Sequence, residues 1–434
     1  MRNLIKAVSA MIAGSGAQLA ANALAGFLAT AWLPVGERGL MILVLSASAI
    51  VSLLVSAGIG NTLRARLPRA GDDEAVELRR AFTAAGLIVI VVAAVVGGGS
   101  AVLLQGTDPR MATAPIVAAV ALATSSQVGI ALLTDARFAG MRYAAGARWA
   151  AVSAVAGLVS MGLTLALCRG GGITPTAALL VGAQYGAVAV VAALSVVFAF
   201  RDGDLVRGWA SGLRVSRLFL AGASTLVLPL AIVVIARSDR LVLGAVTSAT
   251  VVAVYGLAAT YAEIIRIVPT AIAQLAPARV AEGGGLRSMA RLAVLSVLAT
   301  AVTATVVGLA ATWLTVPLFG TPYADAVTIT WLLLPGEVFY ALIVLANLVL
   351  IGGEWNRAAT LVGLSSVPLA LALYSVGATL AGAEGLAVAR DLVLAVMAIA
   401  GGVAVCVVFR PRRRGLTAPE PERPMPVNPP APSG

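Results

Sequence analysis

The stretch LATAWLPVGERGLMILVLSASAIVSLLVSAGIGNTLRARLP (28–68) decides what kind of protein this is. An apolar run leads into it and stops at Leu33-Pro34. A short break carrying Glu37 and Arg38 follows, then a second apolar run to Gly58, and then Arg64, Arg66 and Arg69. About 20 residues of helix cross a ~30 Å hydrocarbon core, and each run is long enough. Two spanning helices joined by a tight proline turn, with arginines beyond the second, predict a polytopic membrane protein.

The same reading repeats outward from this stretch. Apolar windows fall near 7–33, 38–61, 81–104, 112–134, 149–168 and 176–200, and again near 218–245, 250–274, 289–312, 326–350, 358–380 and 386–409. Arg237, Asp239 and Arg240 interrupt the stretch 218–281, where two long helices fit and three do not. Composition agrees, with 60% hydrophobic and 11% charged residues among 434 and a mean hydropathy of +0.99. A soluble domain is about 25% charged. The first run is too long for the apolar segment of a signal peptide.

Placement of charge gives the topology. Alternate loops hold Arg2 and Lys6; Arg64, Arg66, Arg69, Arg79 and Arg80; Arg137, Arg142 and Arg148; Arg201, Arg207, Arg214 and Arg217; Arg279, Arg287 and Arg291; Arg357; and the Arg410–Arg423 cluster. Together these are 23 of the 30 basic residues. The other side holds Arg38, Arg110, Arg169, Arg237, Arg240 and Arg390, and Arg266 lies within a span. The positive-inside rule places both termini in the cytoplasm and makes the span count even. The net charge of +11 is then a topology signal and an attraction to anionic membrane lipids, with no nucleic acid as partner. The Ala- and Arg-rich composition matches a high-GC bacterium, hence a bacterial cytoplasmic membrane.

Absences narrow the function. There is no histidine, the two cysteines (Cys168 and Cys406) lie in apolar runs, and no Walker A loop occurs. Acid/base catalysis by histidine, zinc sites and direct ATP use through that loop are excluded. The far-side loops near 34–37, 105–111, 169–175, 246–249, 313–325 and 381–385 are too short for a folded domain. A chain with negligible mass outside the membrane is expected to be a transporter, not an enzyme, with no cofactor and no metal, and a monomer. The segment 62–80 mixes charges of both signs, as a short surface helix does. The Pro-rich tail 410–434 is expected to be disordered.

A weak internal repeat is present. GLMILVLSASAIV (39–51) and GLAATYAEIIRIV (256–268) are offset by half the chain, and each is followed by a basic stretch with a proline, Pro68 or Pro277. It predicts an N-terminal six-helix bundle (1–205) and a C-terminal one (206–409) around a central cleft.

Charges inside spans cost about 2.5–3.5 kcal/mol each at the helix centre and usually face water or one another. Glu263 and Arg266 share a helix face just before Pro269, and Glu337 follows Pro335-Gly336 near the middle of a span. Two readings stand for Glu263 and Arg266: a pair that neutralises itself and packs helices, or groups serving the cleft. Arg237, Asp239 and Arg240 are either an interfacial snorkelling cluster or part of the same site. In the functional reading Arg237, Arg240 and Arg266 hold an anion, since the planar guanidinium fork matches phosphate oxygens. Asp239, Glu263 and Glu337 then gate or carry a coupling cation. Gln18, Asn22, Gln127, Gln184, Tyr185 and Asn347 are uncharged polar residues in spans. They suit sugar hydroxyls or serve as glue between helices.

These residues also carry a resemblance. Val35-Gly36-Glu37-Arg38-Gly39 and Gly58-Ile59-Gly60-Asn61 resemble the first interhelical turn and the end of the second helix in the oligosaccharide flippases of the multidrug/oligosaccharidyl-lipid/polysaccharide exporter superfamily. SDRLVLGAVTSATVVAVYGLAATYAEIIRIVPTAIAQLAPARVAE (238–282) resembles the family's seventh and eighth helices, and LFGTPYADA (318–326) the loop before the tenth. The resemblance implies an all-α, MATE-like fold of about 12 helices in two bundles that alternate between inward- and outward-open forms. It also implies a polyprenyl-pyrophosphate-linked oligosaccharide, or a related cell-envelope polysaccharide unit, as the cargo flipped or exported, with glycan-assembly proteins as partners. A multidrug cation antiporter of the same fold is the alternative, disfavoured by the embedded arginines. A glycan polymerase or ligase would need a large far-side loop, and a non-transporting scaffold leaves the embedded charges unexplained.

Overall fold

The computed structural model describes residues 2–208, 212–281, 285–352 and 355–409; the tail expected to be disordered lies outside them. The N-terminal half consists of α1 (Arg2–Trp32), α2 (Val35–Ser56), α3 (Asp72–Leu103), α4 (Ala114–Ala139), α5 (Tyr143–Gly170) and α6 (Ala177–Arg201). The C-terminal half consists of α7 (Gly212–Val246), α8 (Ala249–Ile265, continued as Ile267–Ala273), α9 (Leu286–Phe319), α10 (Asp325–Gly352), α11 (356–380) and α12 (383–409). Among the described residues this makes twelve long helices, six in each half, with no strand.

Local chemistry sets the breaks. Pro34, with no N–H to donate, stands between α1 and α2. Ala57 and Gly58 take left-handed conformations that stop α2, and a short helix, Ile59–Arg66, leads away. α3 begins nine residues before its apolar window, with Asp72, Asp73 and Glu74 in its first turn, where acids suit the helix dipole. The mixed-charge surface segment is therefore partly the root of a spanning helix. α8 is interrupted at Arg266, three residues before Pro269, as the proline predicts. α11 and α12 are separated by non-helical Ala381 and Gly382 alone, so the expected loop shrinks to a two-residue turn. There Gly377 and Gly385 bring their backbones into contact, closer than any side chain would allow.

The outer surface is apolar. Val91, Val95 and Leu103 on α3, Val302 and Trp313 on α9, and Leu361 on α11 are all largely exposed. In water this area would cost about 25 cal/mol per Å²; against acyl chains it costs nothing. With nine stretches among the described residues long and apolar enough to cross a bilayer, one of them covering both α11 and α12, the chain is a multi-pass membrane protein.

The two halves repeat one packing scheme. α2 packs on α4 as α8 packs on α10, and α3 on α4 as α9 on α10. α1 packs on α5 as α7 packs on α11, the latter through a Tyr374 hydroxyl hydrogen bond to the Ile235 carbonyl. Between halves, α1 meets α8 and α2 meets α7, with α2 and α8 crossing at the pseudo-axis. The two glycines that open the sequence repeat lie at this crossing. Gly39 abuts the Ala249 carbonyl and Gly256 abuts the Ile42 side chain, each too closely for a Cβ. Gly39→Ala is expected to lower stability by about 1–3 kcal/mol through overpacking. Gly99→Ala, on α3 with open space around it, should be neutral or stabilising. Thermal unfolding in detergent reads both.

Candidate functional site

A cavity of about 540 Å³ lies between the halves. It follows α2 from Arg38 to Ser52, a rise of roughly 21 Å at 1.5 Å per residue, and continues to Arg64 and Asp135 near the arginine-rich loops. At its far end the halves are joined by an aromatic chain. Phe27 of α1 lies 5.1 Å from Tyr261 of α8 and 5.9 Å from Phe319 of α9, and Phe319 lies 6.3 Å from Tyr323. Beside it Glu37 accepts hydrogen bonds from Arg110 (2.9 Å) and the Ala177 N–H (2.7 Å), tying three loops together. The Arg110 hydrogen bond also holds the Asp108 carboxyl below the usual carboxylate range. Toward the arginine-rich end the halves touch through Gly222 of α7 against Ala57 and Gly58.

Charge concentrates at the closed end. Arg237 and Arg240 project from α7 into the cavity and share Glu263 of α8. Arg237 Nη1 is 3.1 Å from Glu263 Oε1, and Arg240 pairs with the same oxygen. Arg38 joins them from the first turn of α2. It is 3% exposed, its Nε donates to Thr30 Oγ1 at 3.0 Å, and it has no carboxylate partner among the described residues. Leaving a buried guanidinium unpaired costs several kcal/mol, so Arg38 is the least compensated charge in the site. An arrangement of three guanidinium groups around one carboxylate can bind an anion.

The sequence reading put Arg38 at a far-side loop end; the structure places it inside, because α2 starts at Val35 and its first turn faces α1 and α8. Its signal was its position one residue before Gly39, whose close approach to α8 turns this part of α2 inward. Glu263 and Arg266 do not form a pair with one another. Pro269 and the break in α8 let Glu263 face α7 while Arg266 turns to α10. There Arg266 forks onto Glu337, with Nε to Oε2 at 2.7 Å and Nη2 to Oε1 at 2.9 Å, and lies over the Tyr340 ring. Arg390 of α12 pairs with Glu337 as well. This clasp lies within the C-terminal half beside a void of only about 10 Å³. Arg266 and Glu337 thus stand apart from the cavity lining, paired with one another. Arg390, also assigned to the far side from sequence, is 3% exposed and interior.

Asp239 is fully buried, accepting from the Tyr255 hydroxyl (2.9 Å) and the Arg240 N–H (2.8 Å). It braces α7 against α8 and does not line the cavity. The snorkelling reading fails for this cluster, since Asp239 and Arg240 are both sealed inside. Gln18, Asn22, Gln127, Gln184 and Tyr185 all line the cavity. Gln127 accepts from Ser52 at 3.3 Å, and Gln184 has an unpartnered Oε1. Asn347 lies on α10 away from the cavity, its Oδ1 likewise unpartnered. The sequence reading missed the Arg64–Asp135 ion pair at the cavity's other end. Asp135, an acid just past an apolar window, was its signal.

By sequence the chain matches no protein-family model and no curated protein. By structure it is similar to an inward-facing multidrug resistance MATE family transporter of the MOP superfamily (TM-score 0.64, 14% identity, covering 90% of this chain and 94% of that one). It is also similar to the lipid II flippase MurJ in an inward closed conformation (TM-score 0.65, 9% identity, 92% and 87% covered). A third match is the MATE multidrug transporter DinF-BH in a ligand complex (TM-score 0.60, 17% identity, 95% and 96% covered). The chain therefore has the fold of the multidrug and flippase transporters of that superfamily, the fold its opening turn and paired six-helix halves led us to expect.

Proposed function

We propose that this protein is a transporter that flips or exports a polyprenyl-pyrophosphate-linked oligosaccharide, or a related cell-envelope glycan unit, by alternating access. One observation carries the reading: Arg38 is buried without a carboxylate partner among the described residues at the closed end of the cavity, beside Arg237 and Arg240. These three guanidinium groups would cradle the pyrophosphate through charge-assisted hydrogen bonds. Amides from α1, α4 and α6 (Gln18, Asn22, Gln127 and Gln184) line the rest of the cavity, in reach of sugar hydroxyls. The lipid tail would stay in the bilayer beside α1, where Leu24 is exposed outside the cavity lining.

The two halves would move as rigid bodies. The Glu337 clasp joins α8, α10 and α12 inside one half, whereas the inter-half contacts toward the far face are aromatic and apolar packing with close glycine approaches. Opening the far face breaks the Phe27–Tyr261 and Phe27–Phe319 contacts and leaves the clasp whole. A cationic drug as cargo fits less well, because the guanidinium groups at the closed end outnumber the cavity-lining carboxylate there.

Arg38→Ala removes a charge without orphaning an acid. It is expected to leave thermal stability unchanged or raised and to weaken binding of a polyprenyl pyrophosphate about tenfold or more, the worth of one charge-assisted hydrogen bond. Binding in lipid nanodiscs tests this, with a cationic rhodamine dye as the competing cargo. Tight dye binding with Arg38-independent pyrophosphate binding would reverse the assignment. Glu337→Gln, by contrast, leaves Arg266 and Arg390 without their countercharge and should cost about 3–5 kcal/mol of stability, read from thermal unfolding.

A further inference from the structure

The inference rests on the cradle reading above and concerns the single carboxylate inside it. Glu263 is shared between two arginines. Its Oε1 takes Arg240 and lies 3.1 Å from Arg237 Nη1, while its Oε2 lies 3.5 Å from Arg237 Nη2. Its side chain is 24% exposed, and that exposure is to the cavity it lines. The neighbouring acids are committed elsewhere: Asp239 to Tyr255 behind Arg240, Glu337 to Arg266 and Arg390, and Asp135 to Arg64 at the other end. Among the described residues Glu263 is therefore the one negative charge placed where a phosphate on Arg237 and Arg240 would sit beside it.

A lipid pyrophosphate exists in two forms that differ by about one charge. With a glycan attached it is a diester with two ionised oxygens. Without the glycan its terminal phosphate is a monoester, and because such a group has a second pKa near 6 it carries roughly one further charge above neutral pH. Size cannot reject the bare carrier, since a cavity that admits the larger ligand admits the smaller one. Besides the amide contacts to the sugars, charge discriminates between the two at the phosphates themselves. Coulomb energy scales with ligand charge, so a fixed carboxylate penalises the monoester by one charge more than the diester. At ~6 Å and an effective dielectric constant of ~20 that is a factor of about a hundred, which screening reduces to about ten or more.

We propose that Glu263 tunes the charge selectivity of the cradle: it lowers the preference that Arg38, Arg237 and Arg240 alone would give the more highly charged monoester, the carrier stripped of its glycan, over the diester, the glycan-loaded carrier. The residue acts as a built-in countercharge that weakens the arginines' hold on the monoester more than on the diester.

The test compares farnesyl pyrophosphate with farnesyl-pyrophosphoryl-N-acetylglucosamine, binding each at pH 8 to the full chain in nanodiscs. The readout is the ratio of the two Kd values on one preparation, which a general loss of folded protein does not move. Glu263→Gln is expected to shift that ratio toward the monoester about tenfold or more. An unchanged ratio, or a shift toward the diester, overturns the proposal. If the single variant does not fold, Arg237→Gln is compared with the double variant Arg237→Gln/Glu263→Gln, which keeps the parent net charge. The same shift between these two supports the proposal and its absence refutes it. If wild type binds neither ligand, or Arg38→Ala binds both as wild type does, the cradle itself fails and the selectivity proposal falls with it. A ratio that stays fixed while binding remains Arg38-dependent sinks the selectivity alone.

Discussion

Guanidinium charge buried at membrane depth is the constraint on which this structure depends. Arg38, Arg237, Arg240, Arg266 and Arg390, away from the arginine-rich loops, lie between helices, and each carries an insertion cost of about 2.5–3.5 kcal/mol when central in a span. The fold answers that cost in two ways. In the C-terminal half Glu337 compensates Arg266 and Arg390 together, and the result is a rigid clasp. At the cavity Glu263 alone meets Arg237 and Arg240, and Arg38 has a threonine hydroxyl and, among the described residues, no acid. The first arrangement closes its electrostatics internally. The second leaves positive charge facing a chamber of about 540 Å³, which is what a site for anions requires.

The repeat explains why the charge can lie there. α2 and α8 occupy equivalent places in the two halves and cross at the pseudo-axis, with Gly39 and Gly256 at the contact. Because these backbones meet so closely, residues one position or two turns away from the glycines, Arg38 and Glu263 among them, are brought to the boundary between halves. A rocking motion about this crossing changes the distance between charges held by different halves. It leaves unchanged the distances inside the Glu337 clasp. Under the proposed alternating access the Glu337 cluster would keep its distances, while Arg38 would move relative to Arg237 and Arg240.

Much of this architecture was legible in the sequence, since apolar windows and arginine-rich loops report span positions directly. The boundary errors have one cause. A charge at the end of an apolar window reads the same whether the helix begins before it or after it, and Arg38 and Arg390, at or near the start of their windows, count with the far-side charges on the sequence alone for that reason. Long-range pairing was not legible. Glu263 and Arg266 sit one turn apart and look like partners, yet the break in α8 sends them to different helices, and Arg266 finds Glu337 across 71 residues. Helices built from Ala, Gly, Val and Leu on every side carry almost no amphipathic period, so the sequence could not show that Gln18 and Gln184 face the cavity while Asn347 does not. The glycine approaches were visible only as composition until the backbones were set side by side.

The role proposed for Arg38, Arg237 and Arg240 is to cradle a pyrophosphate. Its most direct test is a cryo-electron microscopy map of the protein in nanodiscs with a glycan-bearing polyprenyl pyrophosphate. Density for two phosphates within hydrogen-bond distance of these three side chains is expected, with sugar density running along the amides of α1 and α6. A lipid headgroup bound elsewhere, with Arg38 still contacting only Thr30, would contradict it.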